Sequence, residues 1–151
     1  MRDRDVRALN ERIEGKWGMR PLPEDGPVET GNYENRVVYI ASSKVLVIGE
    51  GEELLPSIHA LLMHRPEGRY ITVDMGAVPY VYNGADVMSP GVVSADPSIK
   101  EGEGAWVRDE RNLAPLAVGI ALVPGGMMRG SKGKALRTVH HVGDRFWGLE
   151  C

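Results

Sequence analysis

The sequence predicts an α+β chain: a small α/β N-terminal module packed on an all-β second half. Three observations carry this. Two segments of the first half, around residues 3–16 and 54–64, repeat their apolar residues at helical spacing. From Tyr70 onward that spacing gives way to short β-branched and alternating runs between Gly/Pro turns, the pattern of a small barrel or sandwich. Between them Arg65-Pro66-Glu67-Gly68 reads as a turn and divides the chain into residues 1–68 and 69–151.

Each element has its own warrant. Val6, Leu9 and Ile13 form one narrow apolar stripe on a helix over residues 3–16, which Gly15, Gly18 and Pro21 end. Residues 20–35 hold Pro21, Pro23, Gly26, Pro27 and Gly31 among polar residues and read as loop. Arg36–Ala41 and Val45–Glu50, separated by Ser42-Ser43-Lys44, read as a β-hairpin. Leu54–His64 reads as a helix on that hairpin, with Leu55, Ile58, Leu61 and Leu62 on one face and Pro56 in its first turn. In the second half, Tyr70–Val73 and Val78–Tyr82 read as strands, and Gly84–Met88 as a one-turn helix. Gly91–Ala95, Ala105–Arg108, Leu116–Val123, Leu136–Val142 and Phe146–Leu149 also read as strands. The continuous apolar run Leu116–Val123 suits a strand buried on both faces. Gly125–Lys134 is a glycine-rich, basic turn with a helical turn expected near Met127–Gly130.

With 42% hydrophobic residues the chain can bury a core, and a net charge of -3 argues against non-specific coating of nucleic acid. The charge is uneven. Residues 1–68 carry 9 Lys/Arg against 12 Asp/Glu, while over residues 129–147 Arg129, Lys132, Lys134, Arg137 and Arg145 face only Asp144. The one cysteine, Cys151, permits neither an intramolecular disulfide nor a cysteine-based zinc site and fits a reducing, cytoplasmic setting. No apolar run approaches the ~20 residues of a membrane helix. The charged start Met1-Arg2-Asp3-Arg4-Asp5 does not read as a signal peptide, so no membrane partner is expected.

Three chemistries are open to these residues. The run Gly125–Lys134 lacks a phosphate loop's Gly-Lys-Ser/Thr ending, and no long helix follows it. A hydrolase would need His140 or His141 with Asp144 and a serine. Strand alternation sends the two histidines to opposite faces, and no serine sits in a nucleophile elbow. His59 and His64, five residues apart on a helix, do not share a face, and no compact ligand cluster supports a metal site. No catalytic residue, metal or cofactor is therefore expected. Structured RNA, held by Lys/Arg at phosphates and by shape, remains. On charge alone it stands level with a merely solvated basic face.

The stretch Val73–Pro90, VDMGAVPYVYNGADVMSP, followed by Gly91, sets two Gly-Ala pairs, an Asn-Gly-Ala and a Pro-Gly in order. With Gly102 to Glu110, Ala117–Val123, Lys132–Leu136 and His140-His141-Val142-Gly143-Asp144, it resembles a PUA domain. The hairpin ending Val47-Ile48-Gly49, then Leu55-Pro56-Ser57, then Tyr70–Asp74 resembles the pre-PUA module of small archaeal PUA proteins and of the malignant-T-cell-amplified-sequence family of translation factors. The likeness covers roughly residues 36–149 and leaves residues 1–35 poorly matched.

That resemblance implies a PUA-type β-barrel and a non-catalytic protein that recognises structured RNA, tRNA or rRNA, with the small ribosomal subunit or translation factors as partners. In PUA domains RNA lies along the short helix and the neighbouring strands. Here that implies Gly84 and Ala85 on the helix, with Lys132, Lys134 and Arg137 beside it. The acidic first half departs from an RNA surface and suits protein docking. The alternative is a protein-interaction module on a PUA scaffold; an enzyme using His140 or His141 is a third reading.

Overall fold

The computed structural model describes residues 1–148. α1 (Asp3–Trp17) buries Val6, Asn10, Ile13 and Trp17 and stops at Gly18, which takes a left-handed φ of +69° and donates its N–H to the Glu14 carbonyl. Asn10 is buried because it works as a clamp. Its Nδ2 donates to the Leu22 carbonyl at 2.8 Å and its Oδ1 accepts the Leu22 N–H at 3.1 Å, which pins the proline-rich segment after the helix.

Four antiparallel strands follow in sequence order: β1 (Glu29–Tyr33), β2 (Arg36–Ala41), β3 (Lys44–Glu50) and β4 (Glu53–Pro56). The expected hairpin is β2–β3, turned at Ser42-Ser43, both at positive φ. Two expectations need correction. β1 lies where a loop was expected; it is a mostly exposed edge strand without apolar alternation, so no period betrays it. The helix expected over Leu54–His64 is shorter. Its first residues form β4, paired with β3, and α2 (Ile58–Met63) begins after Ser57, whose Oγ accepts the Ala60 N–H at 3.2 Å.

The second half is a six-stranded sheet in the order β6-β10-β9-β8-β5-β7, curled into a nearly closed barrel. Its strands are β5 (Tyr70–Val73), β6 (Val87–Met88), β7 (Val92–Ala95), β8 (Gly104–Asp109), β9 (Pro115–Ala121) and β10 (Lys134–His141). The two edge strands, β6 and β7, are joined by a tight turn over Ser89–Gly91. β5 runs parallel to β8; the other pairs are antiparallel. Val78–Tyr82, expected as a strand, is a helix, α3, and the one-turn helix expected at Gly84–Met88 is a turn leading into β6. Phe146–Gly148 form a turn rather than the expected strand; Leu149 and Cys151 lie outside the described residues.

Every residue of β9 is buried, as its unbroken apolar run predicts, because each of its faces meets a different core. The barrel interior packs Ile71, Val73, Val107, Ala117, Ala121 and Leu136, with Val81 of α3 over it. The outer face of the same wall, through Trp106, Val118, Ile120 and Val139, joins a second core with Ile13 and Trp17 of α1 and Val47, Ile48 and Leu55 of the N-terminal sheet. The N-terminal module thus has the barrel as one of its own walls. Among the described residues no helix is long and apolar enough to cross a membrane.

Candidate nucleic-acid interface

The end of β5 feeds a tight turn in which the Asp74 carboxylate accepts the Ala77 N–H at 2.8 Å. α3 starts there, with Pro79 in its first turn, where a missing N–H costs nothing. Five residues later the chain leaves through Asn83 and Gly84. Gly84 has φ +92°, and a Cβ built on it would stand 2.8 Å from His141 Nε2. The backbone must therefore pass directly over the His141 ring. Thr138 Oγ1 donates to the Ala85 carbonyl at 3.0 Å, and Asp86 accepts the Thr138 N–H at 2.9 Å, so the turn is stitched to β10.

The five residues expected to meet RNA fall into two groups. Gly84 and Ala85 lie just after the helix rather than on it, and they share a surface with Lys134, whose Nζ sits 3.0 Å from Asp86 Oδ2. Burial alone would raise the Asp86 carboxyl, but the Lys134 ammonium and the Thr138 N–H outweigh it and hold the group below the usual aspartate range. Lys132 is exposed in the loop before β10 and has no ion-pair partner among the described residues. Arg137 points elsewhere: its Nη1 lies 2.9 Å from Glu50 of β3, which also holds Arg36 at 3.1 Å. Half of that carboxylate's work is thus to tie β10 to the N-terminal sheet.

Sequence reasoning missed the apolar part of this surface. Tyr80 and Met88, 71% and 47% exposed, border a cleft of about 310 Å³ with Asp74, Ala77 and Gly91, and Tyr82, 50% exposed, stands outside it. Read as a strand, Val78–Tyr82 would set both tyrosines on one face; the helix turns them to different sides. The available signal was the Asp74-to-Ala77 turn followed by Pro79, a helix start.

The sequence profile of the PUA domain matches residues 69–143. An uncharacterized protein of Methanocaldococcus jannaschii is 35% identical over 130 residues, 85% of this chain and 80% of its own. Translation machinery-associated protein 20 of Saccharomyces cerevisiae is 29% identical over 138 residues, 85% of this chain and 75% of its own. The solved structure of a conserved PUA domain protein from Thermoplasma acidophilum superposes with a TM-score of 0.81 at 28% identity, covering 98% of this chain and 95% of that one.

The chain belongs to the PUA-domain family.

Within the PUA barrel the two neighbouring histidines part company, as alternation requires. His140 is fully buried. Its Nδ1–H donates to the Asp144 carboxylate at 2.8 Å, and its Nε2 accepts the Ile58 N–H at 3.0 Å, the first free donor of α2. These partners set the tautomer. They also occupy both ring nitrogens, so His140 has no free nitrogen to take a proton from a substrate. Burial would raise the Asp144 carboxyl, yet the His140 hydrogen bond and the N–H groups of His141 and Trp147 hold it below the usual range. Among the described residues no group of three or more His, Cys, Asp or Glu is arranged to hold a metal ion.

Proposed function

We propose that this chain binds structured RNA, a tRNA or rRNA, through its PUA domain in a translation-related process in the cytoplasm, and that it does so without catalysis. One observation carries the reading: exposed aromatic and apolar side chains, Tyr80, Tyr82 and Met88, stand beside a side-chain-free turn at Gly84 and the amines of Lys132 and Lys134. Unpaired bases stack on such rings, phosphates meet such amines, and a glycine turn admits a backbone closely. The yeast relative's name, translation machinery-associated protein, supports the setting and makes the small ribosomal subunit or translation factors the partners to look for. On this reading residues 1–68 are the accessory module and 69–151 the RNA-binding domain.

The test is a titration of the protein with an RNA hairpin carrying a single-stranded tail, at several salt concentrations. Binding should weaken steeply with salt, and Lys132→Ala with Lys134→Ala should weaken it and flatten the dependence by roughly one unit of slope per lost phosphate contact. No binding at low salt would overturn the reading.

A second reading has its own observation. Leu62 and Met63 of α2 are 48% and 60% exposed, and Met63 borders a cleft of about 410 Å³ with Pro21, Leu22, Ala41 and Leu46. A protein-interaction module would use that face, and it would survive alanine at both lysines.

A further inference from the structure

Arg108 is a partly buried cation that no carboxylate among the described residues neutralises. It lies on β8, whose alternation sends Ala105 and Val107 into the barrel and Trp106 and Arg108 outward. Its Nε donates to Thr72 Oγ1 at 2.9 Å, and its guanidinium lies 4.0 Å from the centre of the Tyr70 ring, with the Trp106 ring 5.6 Å away. One edge and one face of the group are thus fixed by the protein. Its two terminal nitrogens have no protein partner among the described residues. Asp109, the next residue, cannot serve, because its carboxylate is used up on the N–H groups of Arg111, Asn112 and Ala114. Glu67 and Glu110 are exposed and make no ion pair with it. Partial burial lowers the pKa of Arg108 from the usual arginine value, but a guanidinium stays charged at any physiological pH.

Two more arginines gather at this end of β8. Arg65, after α2, donates to the Leu113 carbonyl beyond the strand, and Arg111 stands in the β8–β9 turn. Both are exposed and neither has a carboxylate partner among the described residues. The two terminal nitrogens reach solvent, so the fork is open for an external anion to complete.

We propose that Arg108, with Arg65 and Arg111 at the β8–β9 turn beyond it, is a second phosphate-binding point for the same RNA, at the opposite end of the barrel wall from Lys134. This rests on the RNA-binding reading above. Register sets the separation. Arg108 pairs with Pro115 at one end of β9 and Leu136, two residues past Lys134, pairs with Ala121 at the other, six residues along, or about 20 Å at about 3.3 Å per residue. Both points belong to one sheet, so they are rigid relative to each other. A single strand of two or three nucleotides reaches one of them; a folded RNA about as wide as a duplex reaches both. An acidic protein segment is the lesser fit, because a bidentate fork and two loop arginines spread along an edge match successive phosphates.

The experiment compares three probes on the intact chain: an RNA hairpin with a single-stranded tail, a short single strand, and a polyglutamate peptide. Arg108→Gln is expected to weaken the hairpin about ten-fold, to lower its salt slope by about 0.7–0.9, and to leave the short strand unchanged. Arg108→Lys should keep the slope while losing several-fold in affinity, since it retains charge but not the fork. Arg65→Ala with Arg111→Ala, both on exposed side chains, guards against misfolding and should also weaken the hairpin. Hairpin affinity unchanged in both Arg108→Gln and the double variant overturns the proposal, as does loss of polyglutamate binding alone. If Lys132→Ala with Lys134→Ala weakens the hairpin while these variants do not, the second contact is wrong and the RNA reading stands. If wild type binds no RNA at low salt, both fall.

Discussion

Gly84 answers two demands that no other residue meets together. Its φ of +92° costs a side-chain-bearing residue about 1–2 kcal/mol, and its bare Cα lies against the His141 ring. Gly84→Ala is expected to lower stability by at least that amount in urea unfolding, and Gly84→Glu to lower RNA affinity as well. Unchanged melting and binding in Gly84→Glu would show that the close approach is not needed. The histidines make a paired prediction. His140→Ala leaves the Ile58 N–H and the Asp144 carboxylate buried without their partner, which should cost about 1–3 kcal/mol. The His141 ring is partly exposed and bonds its neighbour's carbonyl at Val142, while its backbone bond to Asp144 survives truncation, so His141→Ala should stay within about 0.5 kcal/mol. Equal losses in the two variants would contradict the geometry. That the two side chains face opposite ways was legible from strand spacing. Which of them is buried was not, because the choice depends on where α2 ends up.

At the scale of elements, α3 and β10 make the candidate surface together. A five-residue segment is too short to separate a period of two from one of 3.6, so Val78–Tyr82 read as a strand. Its helical form turns Val81 into the barrel and leaves Tyr80 and Tyr82 to solvent. Tyr80→Ala should therefore reduce affinity for RNA with an unpaired tail several-fold, as loss of one stacked base does, with no change in melting temperature. Arg137→Ala should affect RNA less than the lysine pair, because its guanidinium already serves Glu50. A larger loss from Arg137→Ala than from Lys132→Ala with Lys134→Ala would mean that the ion pair opens on binding. Basic residues are visible in a sequence; the carboxylates that fold back onto them are not.

For the whole molecule, two consequences follow from the shared core and the buried carboxylates. Trp106, Val118, Ile120 and Val139 lie under the N-terminal module. Residues 69–151 made alone would expose them and should aggregate or melt well below the full chain, as measured by light scattering and calorimetry. A fragment as stable and monomeric as the whole would show the seam to be dispensable. Acid should also destabilise the fold. Burial would raise the carboxyls of Asp109 and Asp144, but hydrogen bonds outweigh it: three backbone N–H groups on Asp109, and His140 with two backbone N–H groups on Asp144. Both pKa values are depressed in the folded state, against about 3.9 for an unfolded aspartate. Their stabilisation is complete above that unfolded value and is lost as pH falls through the lower, folded one. Urea midpoints should be level from about pH 7 to pH 5 and drop below about pH 4, and Asp109→Asn should lower the plateau and flatten the drop. A profile unchanged by that substitution would remove Asp109 from the account.

Local rules encode α1 with its glycine stop, the β2–β3 hairpin, the strand-rich second half, and the doubly buried strand β9. Spacing, turn chemistry and apolar runs act over a few residues, so they can be read in order along the chain. The tertiary structure alone decided the rest. The edge strand β1 has no apolar period because neither of its faces is buried, and it is a strand because β2 pairs with it. β4 is a strand because β3 lies beside it. Arg137 is tied down by Glu50, 87 residues away, and His140 is held by Ile58 across 82. Arg108 has no carboxylate partner among the described residues because the nearest acid in sequence spends its oxygens on a turn. Each of these turns on which distant group supplies a neutralising charge or a hydrogen bond, and that is settled only when the two halves close on their common core.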